Sequence, residues 1–145
     1  MSIVRRASAV VLSLAVAIAA SAPARAEPGS PDLPLPSRRV PRHPIALLDG
    51  CSRADRVRIV ERIGAAIEIG APTYNAGDFL GCYRIYEAEA RRIEGELSPS
   101  CSGPVRALRD GRGVAAGRRT DSERAWAMRD AFDGLLLVID RAGGA

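Results

Sequence analysis

Between residues 52 and 141 the apolar side chains recur at intervals of three and four, and this spacing constrains the fold more than any other feature. The clearest stretch is 78–97, where Phe79, Tyr83, Tyr86, Ala90, Ile93 and Leu97 are spaced 4, 3, 4, 3 and 4 residues apart. At roughly 3.6 residues per turn these side chains fall on one stripe of a helix, the pattern of a bundle core. A half-buried strand needs sustained alternation instead, and the sequence shows none. The opposite face carries Arg84, Glu87, Arg91, Arg92 and Glu94, with Glu87 and Arg91 in the favourable order for an ion pair one turn apart.

The same reasoning places three further helices. Helix one runs from about Ser52 to Ile69, with Val57, Val60, Ile63 and Ile67 on one face. Ser52 and Asp55 are spaced to cap its start, and Gly70 and Pro72 are expected to end it. Helix three spans Pro104 to Ala115, capped by Ser102, with a thin face of Val105, Leu108 and Val114. Helix four follows a Thr120–Glu123 capping box and carries Trp126, Met128, Phe132, Leu135, Leu136 and Ile139 before ending near Arg141. Four amphipathic helices with short connections predict an all-α domain over 48–145, an antiparallel four-helix bundle built from helical hairpins.

What precedes the bundle reads differently. Arg5 and Arg6 lead into a run of Ala, Val, Leu, Ile and Ser from Ala7 to Ala22, closed by Ala24-Arg25-Ala26. That layout is a secretory signal peptide, 1–26, cut between Ala26 and Glu27. Its apolar run of about 16 residues falls short of the ~20 that span a bilayer. The expectation is a bacterial protein, exported to the periplasm or secreted, with no stable membrane insertion after cleavage; an uncleaved anchor is the alternative. Residues 27–47 hold six prolines, which forbid helix and predict a flexible, extended linker. Within it Arg38-Arg39-Val40-Pro41-Arg42 forms a small basic patch that reads either as part of a tether or as a docking peptide.

The formal charge of +4 points toward nucleic acid only until it is divided along the chain. Loss of Arg5, Arg6 and Arg25 leaves +1, and from Leu48 onward arginines and acidic residues balance at 15 each. A neutral domain lacks the electrostatic footprint of a phosphate binder, so no nucleic-acid partner is expected. All 21 basic residues are arginine. The absence of lysine excludes Schiff-base and P-loop chemistry.

Export brings the three cysteines into an oxidising compartment. In an up-and-down bundle Cys51, before helix one, and Cys101, before helix three, lie at the same end. Cys82 lies near the start of helix two, roughly 20 Å away at 1.5 Å per residue, too far for a bridge. The expected disulfide is Cys51–Cys101, with Cys82 free and buried near Phe79 and Tyr86.

The stretch Gly70 to Glu87 carries the most unusual polar content. Tyr74-Asn75-Ala76-Gly77-Asp78-Phe79, continued to Tyr86-Glu87, resembles the turn and second helix of a tetratricopeptide repeat, over about 20 residues and without a second copy. The longer pattern Gly-Ala-Pro-x-Tyr-Asn-x-Gly followed by Cys-x-x-Ile-Tyr is similar to small secreted bacterial helical proteins. That resemblance implies an exported helical domain and brings no activity with it. Tyr74, Asn75, Asp78 and Tyr83 are the candidate ligand-binding residues, forming a pocket at one end of the bundle; the competing reading is turn and capping chemistry.

No catalytic residue, metal or cofactor is expected. The lone histidine, His43, sits in the linker, and carboxylates such as Glu87 and Glu94 stand among arginines on a helical face. Function is therefore expected to be binding or scaffolding rather than catalysis. The favoured form is a helical module that holds an envelope or secreted protein in a groove between helices one and two. The alternatives are a small-molecule or ion binder at the Tyr74–Asp78 end, or a small arginine-dependent enzyme.

Overall fold

Two capping boxes fix where helices begin. The Ser52 hydroxyl accepts from the Asp55 amide at 3.1 Å while the Asp55 carboxylate accepts from the Ser52 amide at 2.9 Å. Thr120 and Glu123 repeat the arrangement at 3.1 and 3.0 Å. In the computed structural model, which describes residues 37–145, these boxes open α1 (Arg53–Asn75) and α4 (Asp121–Arg141). Asp78 opens α2 (Phe79–Glu96) by accepting from the Gly81 amide at 2.8 Å. The chain then forms α3 (Ser102–Ala116), which begins two residues before Pro104 with Cys101, not Ser102, at the cap. A short 3-10 turn, Ile45–Leu48, precedes α1. The expected signal peptide and the linker up to residue 36 lie outside the described residues.

The elements form the expected all-α, four-helix bundle. Both α2 and α4 touch every other helix, whereas α1 and α3 do not meet. The core lies along α2 and α4, where the Tyr86 ring meets Phe132 edge-on at 5.5 Å. Ile59 and Ile63 of α1, Ile93 of α2, Leu108 of α3 and Met128, Leu135 and Ile139 of α4 complete it. Each such side chain stabilises the fold by roughly 1.5–3 kcal/mol relative to exposure. The seam between α1 and α2 is bridged by Arg62, which reaches Glu96 at 2.6 Å and Glu89 at 3.6 Å.

Three expectations about local structure are corrected. Helix one does not stop at Gly70 and Pro72 but continues to Asn75 with Pro72 inside it. Gly70 is a packing residue: a methyl group there would run into the Tyr86 ring. The last turn is held by tertiary contacts of Tyr74 with Phe79 and Trp126, which override the proline's preference. The inward face of α1 is also rotated from the expected one. It presents Asp55, Ile59, Ile63, Ala66 and Gly70, and Val57 is only half-buried, because bonded, small and glycine positions carry no hydrophobic signal. Finally, the linker is not a free tether as far as residue 47. From Ser37 it lies along α4, where Arg38 pairs with Asp130 and Asp133 and Arg141 donates to the His43 carbonyl.

The end of the bundle where α1 and α3 start is tied down twice. Cys51 and Cys101 form the expected disulfide. Beside it the buried Asp55 accepts from the Ser52 amide and hydroxyl and from the Ser98 amide and hydroxyl, at 2.7–3.1 Å. Burial alone would raise the Asp55 pKa, but these bonds outweigh it and hold the carboxyl well below the usual range.

Candidate functional site

The opposite end holds the candidate site. Tyr74 reaches it because α1 runs one turn past Pro72, with the Thr73 hydroxyl donating to the Ile69 carbonyl at 2.8 Å. The Tyr74 ring stands 4.7 Å from Phe79 and edge-on to Trp126 at 5.7 Å. Its phenol oxygen accepts from the Trp126 indole N–H at 2.9 Å and shares a 2.7 Å hydrogen bond with the Ser122 hydroxyl. These contacts join the last turn of α1 to the first turns of α4.

Behind this junction lies a partly enclosed cavity of about 70 Å³. Ala71, Ala125 and the rings of Tyr74 and Trp126 make an apolar wall. Asn75, Cys82, Tyr86 and Arg129 bring the polar groups. Cys82 is the free cysteine, buried as expected.

Electrostatics sort these groups into donors. The Tyr86 phenol is pushed up to about 12, chiefly by burial and then by Cys82 beside it, with Arg129 pulling the other way. Burial likewise raises the Cys82 thiol, against the opposing pull of Tyr86 and Arg129. At neutral pH both stay protonated. Burial would lower the Arg129 pKa, but its contacts with Asp133 and Tyr86 outweigh that. Its Nε donates to Asp133 at 2.9 Å. The cavity thus offers hydrogen-bond donors and apolar surface, with one cation in its wall.

Of the four sequence-predicted site residues, the fold brings two together here. Tyr74 and Asn75 line the cavity. Asp78 is exposed and caps α2, as the turn-chemistry reading has it, and Tyr83 packs at the edge of the core. Sequence reasoning missed Trp126 and Arg129 as site residues, and placed Tyr86 only in the core stripe. One signal was present: Trp126, Arg129 and Asp133 follow one another at three and four residues, a polar continuation of an aromatic position on one helix face. Among the described residues, no three His, Cys, Asp or Glu side chains gather as a metal site.

Comparison with family models, with curated proteins and with solved structures finds no match to this chain. The fold and site therefore define its class by themselves: a disulfide-tied four-helix domain with a mostly apolar cavity at one end that carries an arginine in its wall. Among the described residues no helix is long and apolar enough to cross a membrane.

Proposed function

We propose that this domain is an exported binding protein that takes a small ligand, an acceptor group on a short apolar body, in the cavity at the Tyr74 end. The carrying observation is the cavity itself: about 70 Å³ of space, apolar walls and a half-buried arginine. That volume is about half of a ~150 Å³ cavity that accommodates benzene, so it suits three to five heavy atoms or the head of a longer molecule. Tyr86 and Arg129 provide donors for a carbonyl or carboxylate, and Ala71, Ala125 and Trp126 cover the carbon atoms. Export is supported by the disulfide, a bond that persists in oxidising compartments, and by the layout of residues 1–26. A thermal-shift panel of acetate, propionate and isobutyrate against their neutral amides tests the reading. Concentration-dependent stabilisation by members of one series supports it, and uniformly flat curves refute it.

An envelope or secreted protein partner is the second reading. The observation favouring it is Ile69, 61% exposed on the outer side of α1, two residues before Ala71 in the cavity wall. Such a partner would lose its grip on an Ile69→Asp variant.

A further inference from the structure

The basic patch Arg38–Arg42 reads from sequence as tether or docking peptide, and in the structure it is docked onto its own α4. Asp130 is only 6% exposed, and its carboxylate is satisfied from this segment: Arg38 Nε donates to one oxygen and the Arg39 amide to the other, the latter at 2.6 Å. A second arm of the Arg38 guanidinium reaches Asp133, and its carbon lies 4.7 Å from the centroid of the Trp126 ring. Farther along, the Pro41 carbonyl comes so close to Gly134 that a methyl group there would sit 2.9 Å from it. A buried carboxylate, a cation on an aromatic face and a backbone approach that only glycine permits are the marks of a fitted contact, not of a chain resting on a surface.

Both residues that Arg38 touches beyond Asp130 lead into the cavity. Trp126 is part of the cavity wall, and its indole N–H is fixed on Tyr74. Asp133 holds Arg129, the charged group of the cavity, at 2.9 Å. With Arg38 in place, Trp126 is held by Arg38 and Tyr74, and Asp133 is shared between two guanidinium groups. Without it, Asp130 is a buried carboxylate that has lost a charged partner, and the indole has lost the cation on its face.

We infer that Ser37–His43 is a latch on the cavity and that Arg38 is the positioning residue through which it sets the Trp126–Arg129 wall. This rests on the cavity being the binding site and adds its regulation. The docked latch holds the cavity at its present size. Release loosens the wall and admits larger ligands. By reciprocity, a ligand that displaces Trp126 releases the segment leading back to the N-terminus.

The chain carries two internal reporters, its single tryptophan, Trp126, in the latch contact and its free thiol, Cys82, in the cavity. In the full chain, Arg38→Gln is expected to shift Trp126 emission to the red. It should also accelerate labelling of Cys82 by dithiobis(nitrobenzoate) about tenfold, because a buried thiol reacts through its open population. Arg38→Lys, which keeps the charge on Asp130 but loses the fork, should fall between. The control is Arg112→Gln, which breaks a two-bond pair with Glu94 at 2.8 and 3.0 Å away from the cavity. Unchanged emission and labelling in Arg38→Gln overturns the latch. So does an equal acceleration in Arg112→Gln at the same loss of Tm, since labelling then reports global opening. Neither readout uses a ligand. Flat ligand panels therefore count against the cavity's function, and an unmoved Cys82 against the latch.

Discussion

At the scale of single residues, Asp55 and Gly70 show how far a side chain's role departs from its type. A buried carboxylate is ordinarily costly, yet Asp55 closes a capping box and fastens α1 to Ser98 in the α2–α3 connection. Asp55→Asn should cost about 2 kcal/mol, as loss of charge-assisted hydrogen bonds does. The pH dependence has a definite sign. With the folded pKa below the unfolded value of about 3.9, the unfolded chain takes up the proton first as pH falls. Asp55 therefore stabilises the fold fully above about pH 5, and that contribution is lost as pH falls through 4 toward the folded value. Urea midpoints at pH 7, 4 and 3 should fall less steeply in Asp55→Asn than in the native protein. Gly70→Ala sets helix propensity, worth about 1 kcal/mol in favour, against a collision with Tyr86 that costs about 1–3 kcal/mol. The collision should win, with a net loss of up to about 2 kcal/mol in denaturant unfolding; a stabilised variant would show that the ring moves aside freely.

At the scale of elements, α1 is where local and tertiary preferences conflict. Pro72 withholds an amide from the helix it sits in, so Pro72→Ala should raise stability by roughly 1 kcal/mol or more in a thermal melt. If that variant loses stability, Pro72 itself is needed to bring Tyr74 onto Trp126. The same conflict explains what was legible in the sequence. The stripe of α2 and the two capping boxes are local patterns, and they appear where they were expected. The end of α1 was not legible, because the Trp126 contact that holds its last turn comes from 52 residues beyond Tyr74, and the Tyr86 ring packed against Gly70 from 16 residues beyond. Half of the cavity was legible for a related reason. Tyr74 and Asn75 stand out in their own turn, whereas Trp126 and Arg129 acquire a role only when α4 is laid beside α1 and α2. The docking of Arg38 on Asp130 spans 92 residues, and no pattern of composition announces it.

At the scale of the whole molecule, the two ends of the bundle do different work. One end is fixed by the Cys51–Cys101 bridge and Asp55, and the other carries the cavity. The bridge closes a separation of 50 residues, and its reduction should cost about 4 kcal/mol in the chain-entropy model. Urea unfolding with and without reductant measures that loss, and an unchanged midpoint would mean that the bridge does not constrain the unfolded chain. With the fixed end as anchor, the proposed ligand would be sensed at the other end through Trp126. The most direct test of the binding account is a titration of Trp126 emission with propionate, in the native protein and in Ala71→Leu, which fills the cavity. A saturable change is expected in the native protein, and it should disappear in Ala71→Leu while the fold is retained by circular dichroism. A flat titration of the native protein, or the same curve in both, would contradict it.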